Sequence, residues 1–243
     1  MAASDSMSLS YRSKAADAKS LNLAIAIAPE CEINEKGGIF LPLRSAGIME
    51  EQMQIYITGA SCAGVTTLGQ SLASRLGLCH ADVDDYFWMP TNPPFTTKRP
   101  VSERVPLLQQ ALGQDDWILT GSCMVWGDAL LAHVDPIVFV VTPTPIRLER
   151  LAAREKARFG DRIAPGGDMH ETHAGFREWA SQYDNPDFSG RNRVWHERWL
   201  SEQSSPVLQI DGAISTEKMA SKVTQAMSHL RRYAPTVTSA SQC

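Results

Sequence analysis

From residue 53 onward, short apolar segments alternate with amphipathic ones. Five apolar runs predict β-strands at 53–58, 79–83, 117–121, 136–142 and 206–210. The run at 136–142 is apolar without alternation, which is typical of a strand covered on both faces. Helical patterns separate the runs, at 66–76, 102–113, 145–159, 170–182, 191–203 and 215–232. This alternation predicts an α/β fold in three layers, a mostly parallel five-stranded sheet flanked by helices.

The last predicted helix has the clearest amphipathic pattern. Ser215 is a plausible N-cap, because its side-chain oxygen can accept a hydrogen bond from the first turn. The residues of the predicted apolar stripe are Met219, Val223, Met227 and Leu230.

The two ends of the chain and one internal segment do not follow the alternation. Ser, Ala and Lys dominate residues 1–20, and Met49 and Met53 stand just before the first strand. We expect residues 1–48 to be a disordered extension or an over-extended translation start, with a short hairpin at residues 37–38 as the alternative. The predicted domain spans 49–233, and 234–243 form a tail. Within the domain, about 45 residues rich in Arg, Gly, His and Trp interrupt the pattern after residue 159, which predicts a lid at about 160–204.

The loop between the first strand and the first helix reads GASCAGVTT, residues 59–67. Gly59, Gly64 and Thr66 match the phosphate-binding pattern G-x-x-x-x-G-K-[ST], but Val65 replaces the lysine. Such a loop points backbone N–H groups at an anion, and the helix that follows adds its positive end. We therefore predict that ATP phosphates contact Gly59, Ser61, Ala63, Gly64, Val65, Thr66 and Thr67. The alternative is a tight strand-to-helix turn without a ligand.

A second cluster, Asp82, Asp84 and Asp85, follows the second strand. Ligands of parallel sheets bind at the carboxyl ends of the strands, and carboxylates there can hold Mg²⁺ or accept a proton. We expect Asp84 to be catalytic and to hold Mg²⁺ together with Thr66. Thr120 stands where many P-loop enzymes carry a further Asp, so that role weakens or moves to Asp84. The alternative is a helix N-cap in a solvated loop.

A phosphotransferase whose loop lacks lysine needs a cation from elsewhere. Lys98 follows a proline-rich loop, and four arginines share one face of the helix predicted at 145–159, namely Arg147, Arg150, Arg154 and Arg158. We expect Lys98 and Arg154 to be catalytic, and Arg150 and Arg158 to contact the nucleotide. A solvated turn and a salt-bridged helix face are the alternatives.

Composition narrows the possible partners. The formal net charge of −4 gives no basic field for nucleic acid. No apolar run reaches the length of about 18 residues that a membrane span requires. The 5 cysteines are scattered without metal-binding spacing, so we expect free thiols, a cytoplasmic location and a monomer or homodimer.

Taken together, these motifs resemble the nucleoside-monophosphate kinase-like group of P-loop proteins. Within it, the chain is most similar to a bacterial subgroup of adenylate kinase-like, AAA-family ATPase proteins, whose loop reads roughly G-A-S-G-x-G-T-T-T-L. The subgroup's other motifs are D-x-D-D-x-x-W, P-P-F-T-T-K-R-P, G-S…W-G-D and R-I-A-P-G-G-D-M-H. This chain carries them at residues 82–88, 93–100, 121–122 with 126–128, and 162–170.

The resemblance spans about residues 53–232 and implies a sheet in nucleotide-kinase order, a mobile lid, and the use of ATP and Mg²⁺. The chain departs from the subgroup at Cys62, where glycine is usual, and at Val65, where threonine is usual. The leading interpretation is an ATP-dependent kinase of a small molecule or nucleotide. The others are a nucleotide-binding protein with weak or no catalysis and a sulfotransferase-like enzyme.

Overall fold

The computed structural model describes residues 53–132 and 134–233. The predictions for residues 1–48 and 234–243 lie outside the described residues. The elements, in chain order, are β1 (Gln54–Gly59), α1 (Val65–Leu76), β2 (Cys79–Asp82), α2 (Val83–Phe87), α3 (Val101–Leu112), β3 (Trp117–Thr120), α4 (Asp128–Leu131), β4 (Ile137–Val141), α5 (Thr144–Phe159), α6 (His170–Ser181), α7 (Arg193–Ser201), β5 (Val207–Asp211) and α8 (Thr216–Tyr233). Single 3₁₀ turns cover Gly160–Ile163 and Gln182–Asp184.

The sheet confirms the predicted strands. Its order is β2-β3-β1-β4-β5, and every neighbouring pair is parallel. Ile57 of β1 lies opposite Thr120 of β3 and Val138 of β4, so β1 occupies the centre. The carboxyl ends of β1, β2 and β3 consequently lie side by side, with Asp82 in register with Thr120.

Alternate residues of β1 serve two different cores, as the two-residue period of a strand requires. Ile55 and Ile57 pack in a buried cluster with residues of α1 and α8. Tyr56 packs on the opposite face with Trp199 of α7 and residues of α3. These two helical layers around one sheet are the three-layer α/β architecture that the sequence predicts.

The helices also follow the predictions closely, but one side chain predicted for an apolar stripe is exposed. All six predicted helices are present with ends within two residues of those predicted, while the short helices α2 and α4 were not predicted. In α8 the stripe formed by Met219, Val223 and Met227 is buried, but Leu230 is 37% exposed. The prediction for Leu230 is wrong because the buried face of α8 ends one turn earlier.

Part of the predicted lid belongs to the body of the domain. Trp199 and Leu200 of α7 are buried in the same cluster as Tyr56. Residues 193–201 therefore form part of a helical layer, while a lid movement of residues 160–192 stays a prediction. Among the residues described, no helix combines the length and the apolar composition that a membrane span needs.

Candidate active site

The glycine loop joins the end of the central strand to α1 by a route that tolerates few side chains. A Cβ on Gly59 would lie 2.6 Å from the carbonyl oxygen of Val140 in β4, so only glycine permits this contact. Gly64 is the N-cap of α1 and has φ of 103°, in the region that glycine adopts without strain. The loop therefore ends at the N-terminus of a 12-residue helix, a position that favours bound anions.

Val65 stands at the lysine position of the loop and packs in the core. It is the first residue of α1 and is only 8% exposed, packed in the core cluster that contains Ile57. A valine packed in the core brings no charge to the loop. The loop therefore ends at a helix N-terminus but has no cation of its own.

The hydroxyl of Thr66 lies beside a carboxylate, but the carboxylate is that of Asp82. Thr66 Oγ1 donates to Asp82 Oδ2 at 2.6 Å, and Thr120 Oγ1 donates to the same oxygen at 3.1 Å. Asp82 Oδ1 accepts the backbone N–H of Asp84 at 3.0 Å. Sequence reasoning favoured Asp84, because the spacing D-V-D does not reveal which carboxylate faces the loop. The register of β2 on β3, which brings Asp82 opposite Thr120, decides this.

Asp84 lies two residues further, in the first turn of α2, and has the protonation behaviour of a candidate base. Partial burial of the carboxylate and, after it, the charge of Asp82 raise the pKa of Asp84 to about 6, although the side chain still reaches solvent. Arg191 and then Arg154 act in the opposite direction. A carboxylate that releases its proton near neutral pH is suited to accept one from a substrate hydroxyl.

Arg191 was not predicted, and it approaches the loop from the segment before α7. Its Nη2 lies 3.4 Å from the hydroxyl oxygen of Ser61, and its guanidinium stands 5.6 Å from the centre of the Trp179 ring. Its Nε is buried and has no hydrogen-bond partner within the part of the chain described here. Burial lowers the pKa of Arg191 from its usual value and Asp84 opposes the shift, but a guanidinium remains charged at neutral pH.

The sequence offered only an indirect signal for Arg191. It follows Gly190 and begins the helix predicted at 191–203, where an arginine carries no mark of function. Asn192 is the useful clue, because it caps α7 by accepting the Trp195 N–H at 2.8 Å and donates to the Phe188 carbonyl at 2.8 Å. These two bonds tie the backbone at Phe188 to the first turn of α7, on either side of Arg191.

Comparison with known proteins places the chain among its relatives. The uncharacterized protein YqaC of Bacillus subtilis (strain 168) is 41% identical over 175 residues, which are 72% of this chain and 97% of YqaC. The chain belongs to the YqaC family. No protein-family model matches it.

Solved structures with a similar course of the chain include three kinases. Shikimate kinase from Aquifex aeolicus vf5 has 15% identity and a TM-score of 0.44, covering 75% of this chain and 100% of its own. A gluconokinase from Sinorhizobium meliloti 1021 has 13% identity and a TM-score of 0.45, and the match covers 75% of this chain and 95% of the gluconokinase. Deoxyadenosine kinase from M. mycoides, solved with bound dATP, has 12% identity and a TM-score of 0.47, and the match covers 72% of this chain and 100% of that kinase. Because these TM-scores are below 0.5, the activity of the YqaC-family chain is inferred from its own site residues.

The arginines of α5 in this YqaC-family protein have several different surroundings. Arg147 is 1% exposed and donates to the carbonyls of Thr142 and Ala180, both at 3.1 Å. Arg150 donates to the carbonyls of Ala63, at 3.2 Å, and Gly212, at 2.9 Å.

The second half of the row is more exposed. Arg154 pairs with Glu155 at 3.2 Å, and Arg158 stands 4.9 Å from the ring centre of Phe95. Lys98 is exposed, and its backbone pairs with Trp88 in a single bridge. The nucleotide contacts predicted for Arg150 and Arg158 and the catalytic roles predicted for Arg154 and Lys98 stay predictions.

Proposed function

We propose that this protein binds ATP with Mg²⁺ and transfers the γ-phosphoryl group to a hydroxyl of a small molecule. The observation that carries the proposal is the contact between Thr66 and Asp82 at the mouth of the glycine loop, with Asp84 beside it. It combines a helix N-terminus for phosphate, hard oxygen ligands and a carboxylate with a pKa of about 6 in one place.

The residues present fit the metal that the fold implies. Mg²⁺ prefers oxygen ligands, keeps several of its waters and is held by one or two protein groups together with phosphates. Thr66 and Asp82 would hold it, with Asp84 as the further ligand that the sequence predicts. When bound, the ion would neutralise charge on the β- and γ-phosphates.

Asp84 has the chemistry to take the proton in the transfer step. The acceptor oxygen forms a bond to the γ-phosphorus while the bond from that phosphorus to the bridging oxygen breaks, and ADP leaves with the bonding electrons. The hydroxyl proton passes to the Asp84 carboxylate.

One observation favours a second candidate function, nucleotide binding with weak or no catalysis. The buried Val65 leaves the loop without a cation of its own. Binding relies on backbone donors and the helix end, whereas the transition state of transfer also needs positive charge.

Titration calorimetry on the full chain tests binding first. The ligands are ATP with Mg²⁺, ATP with EDTA, and adenosine 3′,5′-bisphosphate as the sulfotransferase arm. We expect Thr66→Ala to lower the affinity for ATP about tenfold with Mg²⁺ and little with EDTA, because only the metal-bound form uses the hydroxyl. Ser74→Ala, on an exposed part of the same helix, is the matched control. Equal losses in both conditions would remove Thr66 from the metal site.

ADP formation then separates a kinase from a binder. The protein is incubated with ATP, Mg²⁺ and panels of polyols, sugars and nucleosides, with Asp84→Asn in parallel. We expect ADP formation that depends on one class of acceptor and is lost in Asp84→Asn. Tight ATP binding with no acceptor-dependent ADP would favour the second function.

A further inference from the structure

The loop presents a charge problem that the rest of the site has to solve. Val65 is buried where a lysine would reach the phosphates, and Thr120 is neutral. Phosphoryl transfer concentrates negative charge on the γ-phosphate and its leaving group, so an active enzyme needs a cation there. Such a cation must reach the mouth of the loop and must retain hydrogen-bonding capacity for a ligand.

Three arginines of α5 are already bonded to protein groups. Arg147 and Arg150 donate to backbone carbonyls. Arg154 holds Glu155 through both Nε and Nη2, at 3.3 and 3.2 Å. Their donors serve the protein itself.

Arg191 both reaches the loop and keeps a donor without a partner among the described residues. Its Nη2 contact to Ser61 is long, at 3.4 Å, and reaches the loop between the two glycines. Its Nε has no partner in the described part of the chain, although the atom is buried. A buried donor without an acceptor costs free energy, so such a group is usually satisfied by a ligand or water.

The charge of Arg191 also acts on Asp84. Among the groups that lower the pKa of Asp84, Arg191 acts more strongly than Arg154. The position of Arg191 at the loop rests on its contact with Ser61.

The segment that carries Arg191 is held rigidly. Asn192 bonds the backbone on both sides of it, and His196 ties α7 to the end of β1. His196 is fully buried between Tyr183 Oη, at 2.8 Å, and Thr58 Oγ1, at 3.3 Å. Burial and then Arg191 lower the pKa of His196 to about 3, so it acts as a neutral hydrogen-bonding link.

We propose that Arg191 supplies the positive charge that the loop lost at Val65, by donating to oxygens of the β- and γ-phosphates of ATP. The planar guanidinium presents two parallel donors that match a phosphate edge. This proposal rests on the proposed function, because it assumes that the loop binds ATP.

Nucleotide selectivity provides the test. Affinities for ATP, ADP and AMP with Mg²⁺ are measured by calorimetry for the parent, Arg191→Gln and Arg191→Lys. We expect Arg191→Gln to lower ATP affinity about 10- to 100-fold, ADP affinity less and AMP affinity within about twofold, because the lost contacts lie at the end of the phosphate chain. Arg191→Lys should recover part of the loss, since it keeps the charge but not the paired donors.

Two controls set the alternatives apart. Arg193→Gln removes a guanidinium two residues away that pairs with Glu197 at 2.8 Å, and it should leave all three affinities within about twofold. Arg154→Gln tests the rival cation. An equal loss for ATP and AMP in Arg191→Gln, or a greater loss of selectivity in Arg154→Gln, would overturn the proposal. A parent that does not bind ATP would instead refute the proposed function.

A double variant adds a test in the opposite direction. Val65→Lys in the Arg191→Gln background should restore at least part of the selectivity for ATP over ADP, whereas Val65→Lys alone should not raise it. Equal gains in both backgrounds would mean that the two cations are independent, which contradicts the proposal. Because Val65 is buried, the melting temperature is measured in parallel. If Val65→Lys does not fold, the selectivity of the Arg191 variants decides alone.

Discussion

Two regions bring arginines to the glycine loop, and they use them differently. Helix α5 carries a regular row, and its first two members, Arg147 and Arg150, donate to backbone carbonyls of the surrounding structure. The segment before α7 carries no row of arginines, yet its Arg191 reaches Ser61 and keeps a buried Nε without a partner in the described structure. Periodicity therefore indicates where an arginine stands, but its contacts decide whether the charge is available to a ligand.

Arg147→Ala should have the largest effect on stability. Arg147 is almost fully buried, and its removal leaves the Thr142 and Ala180 carbonyls without this donor, while the Asp184 carboxylate keeps the hydroxyl of Thr144. We expect a loss of about 3–5 kcal/mol in the free energy of unfolding, because two hydrogen bonds from a charged group, each worth about 1.5–3 kcal/mol, are removed. Urea denaturation followed by tryptophan fluorescence measures it.

Arg191→Gln and Arg198→Ala complete that comparison. Arg198 is exposed on α7, so its removal should change the free energy of unfolding by less than about 0.5 kcal/mol. If Arg191 serves a ligand, Arg191→Gln should cost far less stability than Arg147→Ala. Equal losses for the two would make Arg191 a structural residue like Arg147.

The distinction between patterns along the chain and contacts across the fold also explains which features the sequence predicts. The five strands follow from apolar runs, because a central parallel strand buries both faces, and β4 is the clearest case. The end of α1 follows from a local signal, the C-cap Gly77, whereas the N-cap Asn192 of α7 lies inside the helix predicted from residue 191. Apolar runs and many capping residues are local patterns, so they can be read along the chain.

The site depends on contacts between distant residues, which the sequence encodes less directly. The sequence predicts Asp84 as the partner of Thr66, but the contact of Thr66 is with Asp82, since only the strand register separates the two carboxylates. Arg191 lies 130 positions from Ser61, and nothing local marks the pair. Arg147 looked equivalent to Arg150 and Arg154 because a helical row does not reveal which member faces the core.

Arg150→Gln should have an intermediate effect. The Ala63 carbonyl accepts from both Arg150 and Thr142, so the variant keeps one of two donors that hold the loop. We expect a stability loss of about 1.5–3 kcal/mol, the worth of hydrogen bonds from a charged group. Because the loop as a whole loosens, affinities for ATP and ADP should fall by the same factor, in contrast to Arg191→Gln.

Calorimetry with ATP and ADP, combined with urea denaturation, checks this expectation. A loss that affects ATP more than ADP would mean that Arg150 contacts the terminal phosphate, as the sequence predicts. The contrast between α5 and the segment before α7 would then be smaller than the contacts indicate.

The smallest expected effect is on the pH dependence of stability, through Asp84 and the arginine charges that act on it. The pKa of Asp84 is about 6 in the folded protein, above the usual value of 3.8. Between these values the folded state binds the proton more strongly than the unfolded state does, so stability falls as the pH rises from about 4 to 6. Above pH 6 the ionised carboxylate remains a cost, which Asp84→Asn removes. Because the side chain reaches solvent, we expect the variant to melt only about 1–3 °C higher at pH 8 and at the parent's temperature near pH 4.

Thermal melts from pH 4 to 8 measure this, with Asp115→Asn on the exposed loop before β3 as the control. Since Arg191 lowers the pKa of Asp84, the gain should be larger in an Arg191→Gln background, whereas Arg150→Gln should leave it unchanged. A gain that Arg191→Gln does not alter would separate Arg191 from the carboxylate and from the phosphate site beside it.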